Sequence, residues 1–145
     1  VCGSEGLIEH LKAAAPGFVY SVGMAAPVAA AAEAALAVMC REPDRVARLA
    51  DRAARFLARA AAHGLETGTA EGTAILPVLL RDPLRAVRAS AALREAGIAA
   101  LPVVHPAVAE GAERLRFFLT ARHEEDEIDL AARRTAEIVA GLRTP

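Results

Sequence analysis

Apolar residues recur along this chain with two different periods, and the change falls at Gly64. Before it the spacing is helical. "EGLIEHLKAA" predicts a short helix that Ser4 can cap and Pro16-Gly17 ends. "FVYSV" (18–22) reads as a short extended segment, and Gly23 lets the chain bend. Pro27 suits the first turn of a long helix running to about Arg41. Glu42-Pro43-Asp44 breaks that helix, and a second one follows to His63, closed by Gly64. Val46, Leu49, Ala53, Phe56, Leu57 and Ala60 recur three and four apart along it, which predicts its buried stripe.

After Gly64 extended and helical patterns alternate. "TAILPVLL" predicts a strand, and Asp82-Pro83 starts the helix "LRAVRASAALREA", which Gly97 ends. "IAALPVVHP" is extended, "RLRFFLT" is a strand, and "EEDEIDLAARRTAEIVAGL" is a last helix buried along Ile128, Ala131, Thr135, Ile138 and Leu142. The order predicts an α/β (α+β) fold: a small, mostly antiparallel sheet backed by helices and preceded by a long helix pair.

Composition narrows the function classes. The chain has 145 residues, enough for a real core, with 54% hydrophobic and only 3% aromatic residues. A net charge of -1 argues against a nucleic-acid or anionic-membrane partner. Cys2 and Cys40 form neither a metal spacing nor a disulfide framework, which suits a reducing, cytoplasmic compartment, and no metal site is expected. "MAAPVAAAAEAALAVMC" is too short and too interrupted, by Pro27 and Glu33, to span a membrane. The start at Val1, on "VCGSEG", reads as a strand end running into a turn, and so as part of something longer.

Most candidate chemistry has a plain reading. Arg45, Arg48, Arg52, Arg55 and Arg59 follow one helix face, and Asp44 and Asp51, each four residues before an arginine, predict local pairs on a solvated surface. Lys12, the one lysine, sits beside Glu9 and His10 with no sign of the desolvation a Schiff-base lysine needs. His10 and His63 read as surface residues. His105 and His123 have positions that can face a cleft, although a cap or packing role suits each better. No Ser-His-Asp set forms around Ser21, and no residue is assigned a catalytic role.

Arg114 and Arg116 differ from these. Strand side chains alternate, so Arg114, Arg116, Phe118 and Thr120 share one face, and Leu115, Phe117 and Leu119 share the other. A guanidinium among phenylalanines is costly unless an anion meets it. A core carboxylate and a substrate carboxylate fit Arg116 equally well on this evidence.

Five segments in order, "APGFVYSVGMAAPVAAAAEAAL", "EPDRVARL", "ILPVLLRD", "REAGIAALPVVHPAV" and "ERLRFFLTARHEEDEID", resemble the C-terminal part of the α-oxoamine synthases. These are pyridoxal-phosphate enzymes of the aspartate-aminotransferase fold, which condense an amino acid with an acyl thioester, usually with loss of carbon dioxide. The resemblance implies the C-terminal domain of that fold type I architecture. Residues 1–23 would end the large cofactor-binding domain, 24–64 would be interdomain helices, and 65–145 the small domain. It implies that "VCGS" closes a turn following the cofactor lysine, which would lie upstream of Val1 and leave this stretch inactive by itself.

Two site residues follow from the same resemblance. Arg116 matches the second arginine of the family's Arg-Leu-Arg strand, which binds the amino-acid carboxylate. Ser21 matches a hydroxyl residue after "PGF" that reaches the cofactor phosphate across a homodimer. Val22-Gly23-Met24, Ala109, Arg122 and Glu124 depart from the family pattern and bear on acyl-substrate identity and local geometry. The resemblance leaves open whether the acyl group arrives on coenzyme A or a carrier protein. An aminotransferase of the same fold is the nearest alternative, and a non-catalytic helical interaction module a more distant one.

Overall fold

The computed structural model describes residues 2–142, so the reading of Val1 lies outside the described residues. The chain divides into two compact units, Val1–Glu42 and Pro43–Pro145.

The first unit is helical. α1 spans Glu5–Ala14, α2 Pro16–Val19 and α3 Ala26–Arg41. Ser4 holds the cap position of α1 with extended backbone, but its hydroxyl makes no capping bond; its carbonyl accepts from Ile8 N–H at 3.0 Å instead. The extended segment expected over 18–22 is corrected in its first half. Pro16 ends α1 and begins a new turn at once, since a proline is preset for a first helical position. Phe18 and Val19 N–H groups both donate to the Ala15 carbonyl at 2.9 Å, which draws them into α2. Phe18, Tyr20, Val22 and Met24 remain exposed, Val22 at 94%.

The second unit is built on a three-stranded antiparallel sheet. β1 is Ile75–Leu79, β2 Leu101–Val103 and β3 Arg114–Phe118, in the spatial order β1-β3-β2. α4 (Asp44–Ala62), α5 (Pro83–Glu95) and α6 (Glu125–Gly141) complete the unit. Leu115 and Phe117 of β3 are buried, while Arg114 and Arg116 between and before them are half-buried, so the expected alternation holds. Leu76 and Val78 of β1 join them in a core with Phe56, Leu93 and Ile128. Phe56 of α4 meets Phe117 with ring centroids 4.9 Å apart and planes tilted by 44°. This separation lies within the range over which aromatic rings attract.

Both outer strands carry a proline. Leu79 N–H donates away from the sheet to the Glu66 carbonyl at 2.8 Å, whereas Leu80 N–H reaches Glu113 on the β3 side at 2.9 Å. Because these directions alternate, Pro77 has its nitrogen on the outer edge of β1. Pro102 pairs with Leu115, whose polar groups face β1, so its nitrogen is on the outer edge of β2.

The helix ends follow local chemistry. Asp82 caps α5 by accepting Arg85 N–H at 2.7 Å. Gly64 and Gly97, with φ of +72° and +79°, close α4 and α5. After each glycine the next N–H reaches back: Leu65 to Ala60 at 2.9 Å and Ile98 to Leu93 at 2.8 Å. Glu124 begins α6, and its N–H donates to Glu127 Oε2 at 2.8 Å, one half of a capping box.

The arginine row of α4 departs from expectation. Arg55 does not pair with Asp51; its Nε and Nη2 both reach Asp129 of α6 at 2.8 Å, and its Nη1 reaches Glu125 at 2.6 Å. Arg59 reaches Asp129 at 3.0 Å, and Arg52 reaches Glu125 at 2.9 Å. A planar fork suits a carboxylate better than a short helical pair does, so interhelix pairing wins over the local one. The hydrogen bonds from Arg55 hold the Asp129 carboxyl below its ordinary value, against partial burial, with Arg59 adding to the effect. Val46, expected in the buried stripe, is 55% exposed because it precedes the part of α4 that meets the sheet.

Two predictions follow from this packing. Phe56→Ala should cost about 3–5 kcal/mol of folding stability, read as a lower urea midpoint at unchanged slope. A loss under about 1 kcal/mol would mean that the aromatic contact does not hold α4. Asp129→Asn should destabilise in a pH-dependent way. A carboxyl whose folded pKa is depressed stabilises above its ordinary value, 3.8, and loses that contribution as pH falls through the folded value. The melting gap between the native protein and the variant should therefore be widest at neutral pH and close in acid. A gap that stays constant across that range would rule out the ion pair as its source.

Candidate functional site

The two arginines of β3 share a face but have different surroundings. Arg114 lies between Leu79 of β1 and Val103 of β2, and its Nε donates to the Ala112 carbonyl at 2.8 Å. Arg116 lies between Pro77 and Leu101. The residue is half-buried and its guanidinium, among the described residues, meets no hydrogen-bond acceptor or carboxylate. Among the described residues no core carboxylate pairs with it in the way a structural arginine would require. An arginine in the central strand, flanked by a proline and a leucine, keeps all five N–H donors for an outside anion.

Ser21 belongs to the other unit, on the bend after α2. It is exposed, and its hydroxyl donates to the Phe18 carbonyl at 3.1 Å. One rotation about its side-chain bond frees that proton for a different acceptor. Lys12 is exposed and pairs with Glu9 at 2.6 Å, far from the desolvated setting of a nucleophilic amine.

The histidines separate clearly. His10, His63 and His105 are exposed. His123 does not cap α6, whose cap position is Glu124; its ring accepts a backbone hydrogen bond from Thr120 N–H at 3.1 Å in the turn before the helix, and it lines a cavity of about 380 Å³. That cavity is walled by the Gly97–Ala99 connection, by Phe117, Phe118 and Leu119, and by the start of α6, with Glu127 as its other polar residue. Sequence reasoning missed the carboxylate partners of the α4 arginines. Their signal was present as a second stripe, Glu125 and Asp129, one helical turn apart. Among the described residues no cluster of His, Cys, Asp and Glu could hold a metal, and no helix is long and apolar enough to cross a membrane.

Comparison with known proteins gives this geometry a context. The aminotransferase class I and II family matches residues 1–134. An 8-amino-7-oxononanoate synthase of Anaeromyxobacter dehalogenans is 39% identical over 142 residues, covering 98% of this chain and 36% of that protein. The 4-hydroxy-2,2'-bipyrrole-5-methanol synthase of a Serratia species is 33% identical over 131 residues, 90% of this chain and 20% of that one. The chain spans about a third of the length of most of the curated relatives it matches. Among solved structures, an 8-amino-7-oxononanoate synthase from Francisella tularensis aligns with a TM-score of 0.80 at 24% identity, over 96% of this chain and 40% of its own. A serine palmitoyltransferase from S. paucimobilis with bound PLP aligns at 0.82 and 22% identity, over 92% of this chain and 35% of its own. At these identities the structural likeness establishes the fold.

Proposed function

The chain belongs to the class I and II aminotransferase family, on its α-oxoamine synthase branch, and from that membership we propose that it forms about a third of a pyridoxal-phosphate-dependent acyltransferase. The whole protein would condense an amino acid with an acyl thioester, usually with decarboxylation. The observation that carries the reading is Arg116, a half-buried arginine in the central strand whose guanidinium has no partner among the described residues.

In this reading Arg116 grips the substrate carboxylate through two parallel N–H donors. A two-point grip fixes rotation as well as position, which decides which bond to the α-carbon lies in line for cleavage. Arg116 thus orients; it neither takes nor gives a proton. Bound pyridoxal phosphate would supply the electron sink for the α-carbon. Of this chain's own residues, Ser21 suits that group: its exposed hydroxyl can leave the Phe18 carbonyl and donate to a phosphate oxygen. Lys12 does not suit it, since it is paired and solvated, so residues 1–145 by themselves would not turn substrate over.

A homodimer and a cytoplasmic location belong to the same proposal. Phe18, Tyr20, Val22 and Met24 support the dimer, because so many exposed apolar side chains in one segment call for cover. The domain division goes with it: residues 1–23 with the cofactor-binding domain, 24–64 as interdomain helices, and 65–145 as the small domain. The source of the acyl group, coenzyme A or a carrier protein, is a matter for the substrate test.

Incubating the full-length protein with an amino acid and an acyl-CoA should release free CoA thiol. Keto-acid without thiol would overturn the proposal in favour of transamination. Within that assay Arg116→Lys should lower kcat/KM for the amino acid by about 2–4 kcal/mol, since lysine keeps the charge and loses the fork. Arg114→Lys, on the same face but bonded to Ala112, should be much milder, and the acyl donor's KM should hardly move in either. Equal and mild effects in two folded variants would make Arg116 a structural residue.

A further inference from the structure

The turn that leads from β3 into α6 is closed by a histidine ring. Thr120 N–H donates to His123 Nδ1 at 3.1 Å, His123 N–H donates to the Thr120 carbonyl at 3.3 Å, and Arg122 N–H donates to Thr120 Oγ1 at 3.2 Å. His123 is also tied to α4. Its carbonyl accepts Arg52 Nε at 3.0 Å, and the same guanidinium reaches Glu125 at 2.9 Å. The half-buried ring forms part of the cavity wall described above.

A ring nitrogen that accepts a hydrogen bond carries no proton. The turn therefore selects one form of the side chain, the neutral imidazole with its hydrogen on Nε2. We propose that His123 is a proton-operated latch on this turn: the neutral ring holds it closed, and the protonated ring releases it. Protonation puts a hydrogen on Nδ1 directly against Thr120 N–H. Two donors then face each other with no acceptor between them, so the bond becomes a repulsion.

The charged groups around the ring come from three elements. Glu124, Glu125 and Glu127 stand at the start of α6, Arg52 comes from α4, and Arg122 lies in the turn itself. The Ala96–Ala99 connection and the Phe117–Leu119 end of β3 bring only apolar side chains to the cavity. Glu127 is the carboxylate in the same wall, with its Oε2 already accepting Glu124 N–H at 2.8 Å. What moves is the Thr120–His123 turn and that cavity wall. The register at Arg116 is fixed separately by Pro77 and Leu101, so the latch does not depend on the enzymatic reading.

The test is amide exchange at Thr120 in the full-length protein, corrected for the intrinsic effect of pH. As acidification protonates the ring, protection should fall about tenfold, the worth of one net hydrogen bond. His123→Asn offers a carbonyl oxygen near the place of Nδ1 and does not titrate, so its protection should stay level on acidification. His123→Ala should be poorly protected throughout. Level protection in the native protein, or a fall in His123→Asn that parallels the native one, overturns the latch. Ring nitrogen chemical shifts of the native protein give a reading that needs no variant: in the neutral ring the hydrogen must be on Nε2, and a hydrogen on Nδ1 overturns the proposal.

Discussion

The sheet-bearing unit depends on the contact between Phe56 of α4 and Phe117 of β3. Aromatic residues are scarce in this chain, so two that meet in the core carry an unusual share of its volume. β3 is the central strand, paired on both sides, and anything that fixes its faces fixes the sheet. With Phe117 and Leu115 turned toward the helices, the period of two turns Arg114 and Arg116 the other way. The position of the candidate site is thus a by-product of core packing. A slip of one residue in β3 would bury two guanidinium groups and expose the core.

On the face so defined, the chain treats two identical side chains differently. Arg114 is satisfied by a carbonyl two residues earlier in its own segment, and Arg116 is left without an acceptor. The arginines of α4 show a third outcome, with Arg55 held by two carboxylates from α6. Pairing of that kind is ordinary helix docking, and its half-exposed position keeps it open to screening by salt. Between α4 and α6, carboxylates within reach capture the arginines. An arginine in a half-buried position that no carboxylate reaches is correspondingly informative.

Much of this was legible in the sequence where a local rule acts alone. Asp82 before Pro83, glycines after α4 and α5, and the alternation in "RLRFFLT" each specify their structure within a few residues. Where two local signals compete, reading fails. Pro16-Gly17 signals a stop, but a proline is also a start, and the chain uses it as both. Asp51 lies at the right spacing to pair with Arg55, yet a partner 74 positions away supplies better geometry. The environment of Arg116 was illegible for a similar reason: strand alternation gives its face and says nothing of what stands opposite. For His123 the sequence could pose cap against cavity wall, but could not show that Glu124 would take the cap and leave the ring to close the turn before it.

The prolines of the outer strands bear on how this sheet behaves among its own copies. An exposed strand edge is a template, and a three-stranded sheet with two free edges invites stacking strand upon strand into fibrils. Here the outward row of β1 lacks a donor at Pro77 and has the next one, Leu79, occupied by Glu66. The outward row of β2 lacks its donor at Pro102, in a strand only three residues long. Neither edge offers an incoming strand an unbroken ladder. Copies of this unit would therefore meet one another with edges that resist strand-upon-strand polymerisation.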